Sequence, residues 1–290
     1  GNENLEAVEF LKHLNSVFKG RRDGAVIIAE ESTAWPMVTG NAKEGGLGFD
    51  YKWDIGWMHD TLTYFQSPPH QRPEKYHQLT FSMDYFYNER YLLPLSHDEG
   101  VHGKATIAQK MYGEYEGKFP QARALYLYMM AHPGKKLGFE LAQLREWDER
   151  RQQDWELLRY PIHDGFAHFI QTLNHLYLES PALWQQDYSR EGFRWLACEP
   201  GPACLYAWER RGGGQRLVCL VCLGDAPAAG TLQIPGAKGL TCLLSTEEAR
   251  FGGKEPALPQ EQLPQAGAFP VALAPNSGQL WLVEEGACSQ

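Results

Sequence analysis

Two apolar segments of the sequence run directly into acidic side chains. Segment 25–29 ends at Glu30 and Glu31, and a second segment ends at His97 and Asp98. Such segments are typical of buried strands, and α/β proteins carry their active sites where parallel strands end. We therefore expect both strands to bring carboxylates to one rim. Because successive side chains of a strand point to opposite faces, only one of Glu30 and Glu31 points toward a substrate there.

A pair of carboxyl groups at such a rim suits the cleavage of a glycosidic bond. That reaction needs an acid that protonates the leaving oxygen while positive charge builds on the sugar ring. Glu30, at the end of an apolar strand, is expected to be partly desolvated, which favours the protonated form that a general acid needs. Asp98 lies at the matching end of the other strand. The spacing alone also allows a structural role, in which Glu30 or Glu31 caps a helix and Asp98 holds a turn.

The segment after the second strand also contains side chains of the types that bind metals. These are His97, Asp98, Glu99 and His102. The segment resembles the zinc motif with two histidines four residues apart, but here they are five apart and Gly100 interrupts a helix. We therefore expect no metal and no other cofactor, and a loop hydrogen bond for His102.

Aromatic side chains cluster near the proposed rim. Tyr51, Trp53 and Trp57 lie within one segment, and Trp147 and Trp155 lie in a charged segment further on. Aromatic rings pack well on the C–H face of a pyranose. Tyr51, Trp53 and Trp57 are therefore candidates for substrate binding, although core packing explains any one of them equally well.

All six cysteines lie in the last hundred residues. A chain of this size does not need disulfides, so reduced core thiols are expected. Cys219 and Cys222 form a C-x-x-C, yet their segment has the pattern of a strand, on which residues three apart face opposite sides. We therefore do not expect this pair to bind zinc.

The composition is that of a globular protein with a net negative charge. Of 290 residues 43% are apolar, and 36 acidic against 27 basic residues give a formal charge of −9. Such a surface does not favour nucleic acid or an anionic membrane as a partner. The sequence has no run of about 18 apolar residues and no signal-peptide pattern at its start, so a cytoplasmic protein is expected.

The order of the predicted elements divides the sequence into two domains. Up to about residue 180, helical segments (4–18, 57–65, 122–130, 162–178) alternate with strand-like ones (24–29, 51–55, 92–96, 136–139), which is typical of β/α units with a parallel sheet. After Pro181, short alternating segments between turns are typical of an antiparallel sandwich. We predict an α/β domain over 1–181 and an all-β domain over 182–290.

Several motifs together resemble the 1,4-α-glucan (glycogen) branching enzymes of the α-amylase superfamily, glycoside hydrolase family 13. They are AEEST at 29–33, GGLGFDYKWDIGWMHDTL at 45–62, LPLSHDEGVHGK at 93–104, HPGKKL at 132–137 and REWD at 145–148. The resemblance implies a (β/α)8 (TIM) barrel followed by a C-terminal β-sandwich. It also implies a transferase of glycogen biosynthesis that cleaves an α-1,4 linkage in a glucan and joins the released segment to a 6-hydroxyl, with retention. Glu30 is then the general acid/base, and Asp98, with His97 beside it, stabilises the transition state.

The sequence departs from the family pattern in several places. Retaining transfer needs a nucleophilic carboxylate about 5 Å from the acid, and the aspartate that the family carries on its fourth strand has no matching motif here. The segment 135–143 is shorter than the family pattern, and Gly100 replaces an apolar residue. The resemblance thus covers the second half of the barrel and the sandwich. Because four parallel strands cannot close a barrel, we expect the chain alone to be inactive, and to self-associate or bind a separate N-terminal half.

Two other functions are compatible with the same residues. A non-catalytic glucan-binding or scaffold protein would use the aromatic rim and the sandwich only to hold polysaccharide. An α-amylase-type hydrolase would use the same carboxylates, with water in place of the acceptor sugar.

Overall fold

The first half of the chain forms a parallel sheet with helices packed against it. The computed structural model describes residues 3–21, 24–100, 104–138, 148–152, 154–259, 261–265 and 267–285. In chain order, the helices and strands of the first half are α1 (Leu5–Arg21), β1 (Ile28–Ala29), β2 (Tyr51–Trp53), α2 (Ile55–Gln66), α3 (His77–Thr80), α4 (Ser82–Tyr85), β3 (Tyr91–Leu95), α5 (Ile107–Lys110), α6 (Tyr115–Ala131), β4 (Lys135–Gly138) and α7 (Pro161–Glu179). The strands pair in parallel in the order β1-β2-β3-β4. None of the helices in the described part of the chain combines the length and the apolar content that crossing a bilayer requires.

One face of this sheet is covered by helices. In the pairing register Lys52 lies beside Ala29 and Tyr91, so these side chains share a face with Leu93 and Leu95 further along β3. Leu93 and Leu95 belong to the main core, to which α2 and α6 contribute many side chains. We call this side of the sheet the helix face.

The opposite side of the sheet, which we call the open face, is exposed at β1. Ile28 pairs with Tyr51, and Trp53 pairs with Leu92, so these residues share the open face. Ile28 is 42% exposed, and Val26, two residues earlier, is 55% exposed. The strand predicted over 24–29 starts too early, since β1 begins only at Ile28. Ile28 pairs with Tyr51, the first residue of β2, so the residues before Ile28 have no strand partner on β2.

A proline lies within β3 although that strand has a neighbour on each side. Proline lacks the N–H that a ladder bond needs. The backbone N–H and C=O groups of Leu92 point toward β2, because the Leu92 carbonyl accepts a hydrogen bond from the Asp54 N–H at 2.8 Å. Backbone groups two residues apart on a strand point to the same side, so the nitrogen of Pro94 also points toward β2. The pairing of β2 with β3 ends at Leu92, so the missing donor of Pro94 removes no bond to β2.

The second half of the chain consists of antiparallel strands. They are β5 (Phe193–Glu199), β6 (Leu205–Gly212), β7 (Gln215–Cys222), β8 (Ala228–Leu232), β9 (Ala237–Ser245), β10 (Phe269–Leu273) and β11 (Ser277–Glu285). One sheet has the order β5-β6-β7-β11-β9, and β8 pairs with β10 in a second one. A second core lies between the two sheets, with Val218 and Trp281 from the larger sheet and Leu232 and Phe269 from the smaller. These strands lie in the region where the sequence predicts them.

The two cysteines of the C-x-x-C face opposite sides of β7, as their spacing predicts. Cys219 packs in the main core and Cys222 in the second core. The five cysteines that the structure describes are free thiols, and burial raises the pKa of Cys222 to about 11. Cys288 lies outside the described residues.

The main core extends across both halves of the chain. It joins Leu125 of α6 and Phe166 of α7 to Trp208 of β6 and Leu280 of β11. Buried arginines donate hydrogen bonds across the same junction. They are Arg72 to the Leu223 carbonyl at 2.7 Å, Arg123 to the Glu247 carboxylate at 2.8 Å and Arg210 to the Ala131 carbonyl at 2.9 Å. The type of secondary structure changes near residue 182, and the packing is continuous there.

Candidate active site

The strand ends predicted to carry the catalytic carboxylates lie at the same edge of the parallel sheet. Glu30 directly follows β1, Asp98 lies three residues after β3, and β2 lies between these strands. Neighbouring strands are about 4.8 Å apart, so the axes of β1 and β3 are roughly 10 Å apart. By strand alternation Glu30 continues the open face of Val26 and Ile28. The sheet therefore brings both acids to one rim, two strands apart.

Glu30 itself is exposed, so the partial desolvation that the sequence predicts is wrong for this chain. The physical reason lies in the strand that carries it. β1 pairs with β2 alone among the described strands, and the side chains before Glu30 on the same face are exposed as well. Water rather than apolar side chains therefore surrounds this carboxyl group. Its assignment as general acid/base rests on the resemblance and stays a prediction.

Glu31, the neighbour of Glu30, has a structural environment. Its carboxylate forms an ion pair with the buried Lys52 and accepts hydrogen bonds from the backbone N–H of Thr33, at 2.9 Å, and from its hydroxyl. Lys52 also donates to the Thr33 carbonyl at 3.1 Å. Burial acts to raise the pKa of Glu31, but the hydrogen bonds from Lys52 and Thr33 outweigh it, so the pKa lies below its usual value. Glu31 therefore holds the turn after β1, and Glu30 is the acid that faces the rim.

Lys52 is a residue that the sequence analysis did not single out. It is buried on the helix face of β2 and pairs with Glu31 from the neighbouring strand end. The sequence did contain a signal for its role, which is a single lysine between Tyr51 and Trp53 in a strand segment. A lysine that becomes buried in a strand needs an anionic partner. A search for that partner among nearby carboxylates could have assigned Glu31 its structural role.

His97 and Asp98 lie on a short turn that Ser96 stabilises. The Ser96 hydroxyl accepts a hydrogen bond from the Asp98 N–H at 3.2 Å and caps the 3₁₀ helix His97–Glu99. His97 Nε2 lies 3.4 Å from Asp98 Oδ1, and both side chains are 46% exposed. The two side chains are thus adjacent and accessible to a ligand.

The aromatic residues proposed to bind substrate lie in different environments. Tyr51 and Trp53 are half-buried on the open face, and the ring centroid of Tyr51 is 5.9 Å from that of Tyr188. Trp57 is 1% exposed and stacks on Tyr128 with centroids 6.2 Å apart. The expectation that Trp57 binds substrate is therefore wrong, because α2 directs this side chain into the core and leaves no ring face for a sugar.

Several residues that the sequence analysis singled out lie outside the described part of the chain. They are His102, Trp147 and most of the shortened segment 135–143. Within the described residues, no group of three or more His, Cys, Asp or Glu side chains could hold a metal ion. Trp155 is described and is exposed.

The fold, a mixed α/β structure with acids at the edge of its parallel sheet, indicates the general class of protein. The fold is similar to that of an α-amylase from Anoxybacillus, with a TM-score of 0.61 over 97% of this chain and 57% of that chain. The two sequences are 13% identical, so this likeness shows the fold alone. The chain has an α-amylase-like fold.

Sequence relatives identify the chain more narrowly. It is 43% identical to the 1,4-alpha-glucan branching enzyme of Pseudomonas putida over 258 residues, covering 87% of this chain and 35% of the relative. The enzyme of the same name from Cupriavidus necator is 43% identical over 96% of this chain and 37% of the relative. The one from Chlamydia pneumoniae is 42% identical over 98% of this chain and 41% of the relative. No protein-family model matches the chain.

These matches confirm the resemblance drawn from the motifs. The chain is a relative of the 1,4-alpha-glucan branching enzymes and corresponds to their C-terminal portion. It spans 35% to 41% of the length of these three relatives.

Proposed function

We propose that this polypeptide supplies the general acid/base and the stabilising carboxylate of a 1,4-α-glucan branching enzyme of glycogen biosynthesis. The observation that carries the proposal is the position of Glu30 and Asp98 at one edge of a parallel sheet, in a chain 43% identical to an enzyme of that name. In this proposal residues 1–181 are the second half of a (β/α)8 barrel and residues 182–290 a C-terminal β-sandwich. The substrate is an α-1,4-glucan in the cytoplasm.

The proposed reaction assigns each acid one task. Glu30 protonates the oxygen of the α-1,4 bond as that bond breaks, and a nucleophilic carboxylate forms a glycosyl-enzyme ester. Glu30 then takes the proton of an incoming 6-hydroxyl, whose oxygen displaces the carboxylate and forms the α-1,6 bond. Asp98, with His97 at 3.4 Å, stabilises the positive charge on the sugar in both steps. We propose that the nucleophile comes from the part of the relatives that this chain does not match.

The test joins this chain to the preceding part of the Pseudomonas putida relative. Branching is measured as the loss of iodine-complex absorbance together with the short chains that a debranching enzyme releases. Glu30→Gln should lower the rate at least 100-fold, because an amide cannot donate the proton to the leaving oxygen. Glu44→Gln, which changes an exposed glutamate in the 3₁₀ helix Ala42–Glu44, is the matched control and should retain the rate.

Two results would contradict the assignment. Turnover retained in Glu30→Gln removes this residue from the acid/base role. New reducing ends without new α-1,6 linkages identify an α-amylase-type hydrolase instead.

The exposure of Glu30 favours a second candidate function for the chain by itself, which is glucan binding without turnover. With this acid open to water, the chain alone does not provide the water-excluding site that favours bond cleavage. We expect the purified 290-residue chain to produce no branches in the iodine assay. Affinity for glycogen in the absence of turnover, even after addition of an N-terminal half, would favour the binding function over the enzymatic one.

A further inference from the structure

The chain segment that follows Glu30 has little backbone support of its own. β1 is two residues long, and its pairing with β2 ends at Ala29, directly before Glu30. Among the described residues, no backbone-to-backbone hydrogen bond involves residues 30–36. Residues 32–34 are exposed, so apolar burial does not fix the chain directly after Glu30 either. Contacts made by polar side chains therefore set the path of the chain there.

Lys52 provides these contacts from the neighbouring strand β2. Its ammonium forms an ion pair with the Glu31 carboxylate and donates a hydrogen bond to the Thr33 carbonyl at 3.1 Å. The Glu31 carboxylate in turn accepts a hydrogen bond from the Thr33 N–H at 2.9 Å. The Thr33 hydroxyl accepts one from the Trp35 N–H at 3.1 Å. One buried cation thus ties the turn 31–35 to the sheet.

Lys52 is itself held firmly and lies behind the rim. It is 6% exposed, its N–H donates to the Arg90 carbonyl at 3.0 Å, and it lies beside Ala29 in the pairing register. Because a buried ammonium is unfavourable without an anion, separation from Glu31 is disfavoured. The side chain is on the helix face, whereas Glu30 continues the open face.

We infer that Lys52 is a positioning residue, which fixes the orientation of the acid/base Glu30 through its contacts with Glu31 and Thr33. A shift of Glu31 moves Glu30, because the two residues share a rigid peptide unit. A reacting group displaced by about 1 Å can lose about 100-fold in rate. The role of Glu30 in this inference rests on the proposed function.

The first test measures amide hydrogen exchange by NMR in the 290-residue chain. Lys52→Met removes the ammonium and keeps the aliphatic part of the side chain. Exchange at the Thr33 N–H should accelerate about tenfold, because its Glu31 acceptor is no longer held in place. The Lys43 N–H, which donates to Asn41 Oδ1 at 3.0 Å in another exposed turn, is the internal control and should not change. Unchanged exchange at Thr33 would overturn the inference.

The second test measures kinetics on amylose in the enzyme that joins this chain to the preceding part of the Pseudomonas putida relative. Lys52→Met should lower kcat about 30-fold and change KM less than about twofold, because the contacts that bind the substrate remain. Lys52→Arg should restore kcat to within about threefold of the wild type, since a guanidinium also pairs with a carboxylate. Lys43→Met changes an exposed lysine and should keep the wild-type kcat.

A double variant separates positioning from stability. Lys52→Met leaves the Glu31 carboxylate without its cation, so the Tm should fall as well. Lys52→Met combined with Glu31→Gln removes both charges and should regain part of the lost Tm, while kcat stays low because the turn is still untied. If kcat recovers together with the Tm, Lys52 serves stability alone and the inference is overturned.

The remaining outcomes distinguish this inference from the proposed function. If Glu30→Gln abolishes turnover while Lys52→Met keeps the wild-type kcat, the inference is overturned and the proposed function stands. If Glu30→Gln retains turnover, the proposed function fails and the inference fails with it. An effect of Lys52→Met on KM alone would show that Lys52 binds substrate, which also contradicts a positioning role.

Discussion

Glu30 and Glu31 are chemically identical neighbours that the fold places in opposite situations. Alternation along β1 sends Glu31 toward Lys52 and the helix face, and Glu30 toward the rim. This division could be predicted from the sequence, since parity alone separates the two side chains. The partner of Glu31 could not, because pairing with Lys52 depends on the register of β1 against β2.

The first prediction concerns the ion pair of Glu31. Glu31→Gln leaves the Lys52 ammonium buried without its anion, so the free energy of unfolding should fall by about 2 kcal/mol. Glu30→Gln changes an exposed side chain and should alter it by less than about 0.5 kcal/mol. Urea denaturation followed by tryptophan fluorescence measures both variants. Equal losses in the two variants would show that the Glu31–Lys52 pair does not stabilise the fold.

A second prediction concerns pH and His132. This side chain is buried, its Nε2 lies 2.9 Å from the Ser82 hydroxyl, and burial lowers its pKa from 6.5 to about 3. Below pH 6.5 the unfolded chain binds a proton that the folded chain does not, so the folded state loses stability as the pH falls from 6.5 toward 3. Between pH 7 and pH 5 His132 should account for a loss of about 2 kcal/mol.

The measurement for His132 compares urea unfolding of the wild type and His132→Gln at both pH values. The variant cannot titrate, so the difference in unfolding free energy between the two proteins should shrink by this amount at pH 5. A difference that is the same at both pH values would mean that the folded protein accommodates the charged imidazole.

At the scale of elements, β1 is the exposed edge of the parallel sheet. Val26 and Ile28 are exposed on its open face, and an edge strand with apolar side chains is prone to pair with other chains. We expect the wild-type chain to self-associate, and Ile28→Lys to shift it toward the monomer in sedimentation velocity. Leu263→Lys, at an exposed leucine outside the parallel sheet, is the matched control and should leave the association unchanged. A purely monomeric wild-type chain would contradict this prediction.

The long elements of the fold were predictable and the short ones were not. α2 and α7 carry a clear apolar period, and the sequence places both ends of each within two residues. For the second half, the sequence predicts a region of short strands after Pro181 without fixing each one. α6 begins at Tyr115 rather than 122, because Gly117 and Pro120 obscure the helical pattern of its first turns. Helices α3, α4 and α5 have four residues each, too few to show a period.

The same limit applies to the candidate site. The rim carboxylates could be found because strand ends are visible in the sequence. The burial of Trp57 could not be predicted, because it depends on which side of α2 faces Tyr128. The exposure of Glu30 depends on which strands lie beside β1, and this is a property of the sheet rather than of the segment.

At the scale of the whole molecule, a buried ion pair within the second half supports Arg210, which reaches across the junction to the Ala131 carbonyl. Arg210 donates to Asp187 at 2.8 Å, and both side chains are almost fully buried. Removing one partner leaves the other charge buried, so Asp187→Asn should lower the free energy of unfolding by about 3 kcal/mol. Asp164→Asn, at a half-exposed aspartate of α7, is the control and should have little effect. A loss below about 1 kcal/mol in Asp187→Asn would show that the carbonyl bonds of Arg210 are sufficient alone.

The continuous core has a consequence for any attempt to divide this protein. Expression of residues 182–290 alone would expose Trp208 and Leu280 to water and would remove the Ala131 carbonyl that Arg210 binds. The complementary fragment would leave Arg123 without its acceptors and Arg72 without the Leu223 carbonyl. Residue 182 therefore marks a change in the type of secondary structure and not a boundary between independent folding units. Cutting the chain there should destabilise both fragments.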